Sequence, residues 1–174
     1  MTKITSIKGR IIHDSRASKT IEVDVISDNR YLGRTSAPSG ASVGKYESVS
    51  FPKGGPKESL RILNENSKKF LELEPSDLKS IDEVLKSIDM TPNYSKIGGG
   101  LAYAITIASM ESASKAVEKQ LFELILDKFS TERERFNYYM ENLNEIDDVL
   151  AVGAEKARKV ANDVLGRVRS KIGY

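Results

Sequence analysis

In the segment Pro38-Ser39-Gly40-Ala41-Ser42-Val43-Gly44-Lys45-Tyr46-Glu47, two serines and two glycines crowd into a short run opened by a proline. Glycine lets a backbone approach a ligand closely, and serine hydroxyls and carbonyl oxygens are donors that a hard cation accepts. The chemistry open to such a run is to cover a site and lend it oxygen ligands. Gly/Ser-rich turns are also common, and most of them bind nothing. The surroundings have to decide.

Other reactive side chains are few. Cysteine is absent, which removes disulfides, thiolate nucleophiles and zinc–sulfur sites. His13 is the only histidine, so no Ser/His/Asp triad or histidine-rich metal cluster can be assembled. At a strand end beside Asp14, it reads as a structural residue. The carboxylates Asp14, Glu22, Asp24 and Glu47 lack a second set with which to converge. No catalytic residue is assigned.

A net charge of +2 offers no global field for nucleic acid. The cations gather toward the C-terminus, where Lys156, Arg158, Lys159, Arg167, Arg169 and Lys171 stand against Glu155 and Asp163. Such a helix could touch phosphate or present a solvated face. No apolar run approaches a membrane span, and no basic-then-apolar leader opens the chain, so the expectation is a cytoplasmic protein without a membrane partner.

The elements that must position these residues follow from periodicity. Ile4–Ile12 is rich in β-branched residues, and Thr20–Ile26 alternates Ile21, Val23 and Val25 against Glu22 and Asp24. Asp28-Asn29-Arg30 supplies turn chemistry before a returning strand over Tyr31–Ser36. Helical spacing takes over after Gly54-Gly55-Pro56. Ser76 is the expected N-cap of a helix with the stripe Leu78, Ile81, Val84, Leu85 and Ile88. A stripe of mostly small residues follows in Leu101, Ala104, Ile105, Ala108, Ser112 and Ala116, suited to close helix packing. A charged helix is expected over Asp127–Asn142.

The last helix carries Val160, Val164, Leu165, Val168 and Ile172 and is expected to bury them. Packing in cis on the helix before it, through the turn Asn142-Leu143-Asn144, implies a monomer. Pairing between chains implies a symmetric dimer. The fold class is α+β: a three-stranded antiparallel meander, then an α-helical bundle, with an added C-terminal helical hairpin. At 174 residues the chain suits one domain, or one domain plus a small appendage.

Asp14-Ser15-Arg16, the strand Thr20–Val25, the Ser/Gly run, Ile81-Asp82-Glu83 and Thr91-Pro92-Asn93-Tyr94-Ser95-Lys96-Ile97-Gly98 occur in an order that resembles the N-terminal domain of enolase, over residues 3–125. The resemblance implies magnesium-dependent dehydration of 2-phosphoglycerate in glycolysis, a lyase reaction. It makes Ser39, Gly40, Ala41, Ser42 and Gly44 a substrate lid, with Ser39 giving oxygen to a second magnesium that arrives with substrate. Residues 37–48 would be mobile without substrate or barrel. In that family the base lysine, the first magnesium's carboxylates and the general acids lie in a following barrel domain, so this chain is expected to bind no magnesium and to be silent alone.

Two departures from the family stand out. It usually has Gly-Asn-Pro-Thr after the Asp-Ser-Arg, where this chain has Ala17-Ser18-Lys19-Thr20, altering a backbone-defined turn. Gly98-Gly99-Gly100 reads as a flexible hinge or a poor helix N-terminus, not a phosphate loop, since no Lys-Ser/Thr follows.

A second resemblance begins near Phe129. Arg133-Glu134-Arg135-Phe136-Asn137-Tyr138-Tyr139-Met140 and Gly153-Ala154-Glu155-Lys156-Ala157-Arg158-Lys159-Val160-Ala161 look like the C-terminal helices of bacterial tryptophanyl-tRNA synthetases. That implies a chimera or fusion of residues 1–125 with 126–174, joined between Leu121 and Ser130. It also implies weak tRNA contact through Arg158, Lys159 and Arg167, with Tyr138 and Tyr139 packing or stacking on bases. The signatures of aminoacylation do not occur. The implied partners are a barrel domain, encoded separately in a split enolase, or a second copy of the chain.

Overall fold

The computed structural model describes residues 2–38, 44 and 47–173. The chain forms two compact units, Met1–Ile125 and Leu126–Tyr174.

In the first unit, β1 (Ile4–His13), β2 (Lys19–Ser27) and β3 (Tyr31–Ser36) form an antiparallel sheet in sequence order. The expected meander is present. Its hairpin at Asp28-Asn29 holds both residues at positive φ, 50° and 55°. Asp and Asn tolerate this region, and the primed turn matches the right-handed strand twist. Alternation then sorts the faces. Ile21, Val23 and Val25 are fully buried on one side, while Glu22 and Asp24 on the other meet Arg10 and Arg34.

The inner face is covered by helices α1 (Pro56–Asn66) and α3 (Gly99–Ala116), with α2 (Leu78–Ile88) against α3. Pro56 at the first helical position costs α1 nothing, because that N–H would lack an intrahelical partner anyway. A single 3₁₀ turn, Ser67–Phe70, delivers Phe70 to the core. The N-cap of α2 is Asp77, whose carboxylate accepts from the Ser80 N–H at 3.2 Å, and not Ser76, whose hydroxyl donates to Glu74. Both are cap-forming residue types, and only the local backbone decides between neighbours.

The expected stripe on α3 is buried from Leu101 to Ser112, and Ala102, Ser109, Met110, Ala113 and Ser114 are buried as well. The helix is thus enclosed on most of its circumference. Its hydroxyls are satisfied locally, Ser109 donating to the Ile105 carbonyl at 2.8 Å, or across the interface, where Ser112 donates to the Tyr31 carbonyl at 2.7 Å. A Cβ on Gly33 would fall 1.9 Å from the Ala108 carbonyl oxygen, so β3 and α3 touch backbone to backbone.

The unit boundary falls inside α4 (Leu121–Lys128). The charged helix expected from Asp127 is interrupted at Phe129, and α5 runs Ser130–Glu141. In the second unit α5 is followed by α6 (Leu143–Ile172). The expectation that α6 buries its apolar face is not met: Val160, Val164, Leu165, Val168 and Ile172 are 42–65% exposed. Length explains it. The 12 residues of α5 and 30 of α6 correspond to about 18 and about 45 Å, so α5 cannot reach the far half of α6.

Candidate functional site

The Ser/Gly run leaves β3 and must reach α1. Ser39, Gly40, Ala41 and Ser42 lie outside the described residues, as does most of the expected mobile span 37–48. Its two ends are described. On the β3 side, Ala37 donates to the Ile21 carbonyl at 2.8 Å and accepts from the Thr20 hydroxyl at 2.8 Å. On the other side, Glu47 donates its N–H to the Gly44 carbonyl at 3.1 Å and Val49 donates to Asn93 at 2.8 Å.

The glycine triplet clamps that second end. Gly99 and Gly100 donate their N–H groups to the carbonyls of Val49 and Ser50, at 2.7 and 3.0 Å. A Cβ at Gly98, whose φ is +88°, would sit 2.8 Å from the Ser50 oxygen, and one at Gly99 only 2.4 Å from the Ser48 hydroxyl oxygen. The reading of a flexible hinge is therefore corrected. These glycines permit close approach, and the first N–H groups of α3 are spent on segment 49–50.

Between the clamped ends lies a groove of about 320 Å³ lined by Pro38, Glu47, Ser48, Ser50, Gly99, Gly100 and Tyr103. Among the described residues it offers hydroxyls and one carboxylate, with no cation and no base beside a nucleophile. Ser48, Ser50 and Tyr103 were not singled out from sequence. The first two stand two apart, the spacing that puts residues of an extended segment on one side.

The other front carboxylates are engaged elsewhere. Glu22 and Asp24 form a network with Arg10 and Arg34, in which Arg34 approaches Asp24 at 2.7 and 2.9 Å. The Arg34 hydrogen bonds, aided by Arg10, hold the Asp24 carboxyl below its ordinary value against the effect of burial. Asp14 accepts the N–H groups of Arg16 and Ser18 at 2.9 and 2.8 Å. Ala17 in that turn takes φ 59°, the left-handed region that favours glycine. His13 is exposed and pairs in register with Lys19. Among the described residues, no group of three or more His, Asp or Glu side chains could hold a metal. Among the described residues the groove's one carboxylate and its hydroxyls would leave most of magnesium's six positions to water, substrate or a partner.

In the second unit, Arg158, Lys159 and Arg167 are exposed on α6. At about 100° per residue, Arg158 and Arg167 project from opposite sides, so the helix does not bring the three together. Tyr138 and Tyr139 meet edge to face at 5.5 Å. The Tyr138 hydroxyl donates to Glu145 at 2.5 Å, and the Arg135 guanidinium lies over the Tyr139 ring at 5.7 Å. Among the described residues no helix is long and apolar enough to cross a membrane.

Comparison with known proteins agrees with the first unit's fold. Residues 4–125 match the family described as enolase, N-terminal domain. An enolase of Methanosphaera stadtmanae is 38% identical over 123 residues, 70% of this chain and 30% of the relative. One of Methanothermobacter thermautotrophicus is 37% identical over 129 residues, 74% of this chain and 31% of the relative. One of Elusimicrobium minutum is 29% identical over 154 residues, 84% of this chain and 36% of the relative, an alignment longer than the family match. The chain belongs to the enolase N-terminal domain family. It spans about a third of the length of these curated relatives.

Proposed function

We propose that residues 4–125 act as the lid-bearing part of an enolase, whose parent reaction is the magnesium-dependent dehydration of 2-phosphoglycerate to phosphoenolpyruvate in glycolysis. What supports this is the groove at the clamped ends of the Ser/Gly run, found in a unit that belongs to the family. In this reading Ser39 lends oxygen to magnesium only when a barrel supplies the remaining ligands, and Gly40, Ala41, Ser42 and Gly44 let the run close over substrate. The chain alone is inactive: Glu22 and Asp24 are held by arginines and Asp14 by its turn, which leaves Glu47 as the one carboxylate among the groove's described residues. The partner is a barrel domain, and the setting is cytoplasmic.

The segment 126–174 is read as a synthetase-like addition, making the protein a chimera. Contact with tRNA would be weak, because Arg158 and Arg167 diverge. The test is formation of phosphoenolpyruvate from 2-phosphoglycerate and magnesium. We expect none from the purified chain and turnover when an enolase barrel lacking its own N-terminal domain is added. Turnover by the chain alone would sink the inactive reading. Silence of the mixture, with the two shown to bind, would sink the lid.

A further inference from the structure

Helix α6 sorts its charge by end. Its first two turns carry Glu145, Asp147 and Asp148 without a cation, and its last two carry Arg167, Arg169 and Lys171 without a carboxylate. The same helix leaves its apolar face open from Val160 onward. Near its start, Phe136, Tyr139 and Met140 of α5 face Ile146, Val149 and Leu150 across an open groove of about 360 Å³.

We propose that α6 pairs antiparallel with α6 of a second copy of this chain, about a two-fold axis at Ala157. In that register Ile146 meets the mate's Val168, and Leu150 its Val164. Gly153 meets its Ala161, so small residues fall where the helices cross and large ones pack at both ends. At about 100° per residue all of these lie within about 40° of Ala157 around the helix, one continuous stripe. The mate's last turns then reach the α5–α6 groove.

Charge selects the direction. Antiparallel pairing puts Glu145 near the mate's Arg167 and Asp147 near its Arg169, and opposes the helix dipoles. Parallel pairing would set carboxylates against carboxylates and cations against cations. Lys156 and Arg158 lie on the two edges beside the axis, where each meets its own counterpart, and their long stems let the charges spread into water.

The absence of cysteine makes the test clean. Sedimentation of the full chain should show a dimer. Under mild oxidation Ala157→Cys should give a disulfide-linked dimer. Val168→Cys alone should not, since its two copies would stand about 33 Å apart. An equimolar mixture of Ile146→Cys and Val168→Cys chains should cross-link. Either Glu145→Lys with Asp147→Lys, or Arg167→Glu with Arg169→Glu, should weaken the dimer about ten-fold at unchanged helicity, and all four together should restore it. A monomer up to millimolar concentration overturns the proposal, as does self-cross-linking of Val168→Cys or a dimer indifferent to charge reversal.

Discussion

Asp89 and Ile97 are tied across a loop: the buried carboxylate accepts the Ile97 N–H at 2.8 Å. It also accepts from the N–H groups of Lys96 and Thr91, both at 2.9 Å, and from the Thr91 hydroxyl at 2.5 Å. One side chain that is 1% exposed thereby fixes the loop that delivers Gly98 to the start of α3.

The substitution Asp89→Asn should therefore cost about 2–4 kcal/mol, since an amide turns donors toward donors in a buried place. Urea unfolding measures this, and a loss under about 0.5 kcal/mol would contradict it.

Acid should expose the same group. Burial is the largest single influence and pushes the Asp89 carboxyl up, but the Thr91 hydroxyl and the three N–H groups together outweigh it and hold the group below its ordinary value. A folded value below the unfolded one gives stability that is present above about pH 4 and lost as pH falls through the folded value. Stability against pH should thus drop on the acid side, and Asp89→Asn should flatten that limb. An unchanged slope would rule the contribution out.

Ala17→Gly should stabilise the first unit by about 0.5–1 kcal/mol, because the position already holds a left-handed backbone. Thermal melting checks the sign.

Gly98→Ala should destabilise by about 2–4 kcal/mol, through its positive φ and the Ser50 oxygen 2.8 Å from the new Cβ. Hydrogen exchange at Gly99 and Gly100, whose N–H groups hold segment 49–50, should quicken. Unchanged exchange would mean that the clamp survives without the glycine.

Arg34→Ala should leave the melting temperature of the first unit nearly unchanged, since the guanidinium is half exposed and water screens the pair. Its clearer effect is on titration: the Asp24 carboxyl should move up toward its ordinary value, which carboxyl NMR would follow.

Sequence carried the sheet well for a physical reason. One face of the meander is covered by helices, so period-two alternation at Ile21, Val23 and Val25 maps directly onto burial, and Asp28-Asn29 admits few turns other than the one found. It carried close contacts poorly. Three successive glycines say that the backbone is free to approach something, not that Ser48 and Ser50 are what it approaches. Ser76 and Asp77 are equally able to cap, and Asp89 looks like any surface acid until its loop closes on it. On α6 the stripe announces a face that prefers burial, but amphipathicity carries no information about which chain supplies the cover.

The contact between Gly33 and Ala108 has a genetic corollary. What a side chain at 33 would strike is the main-chain oxygen of residue 108, 1.9 Å away, not the alanine's methyl group. Changing residue 108 to anything smaller would leave that oxygen where it is. A selection for suppressors of Gly33→Ala should accordingly return revertants to glycine, or changes that shift the whole of α3, and never a compensating allele at codon 108.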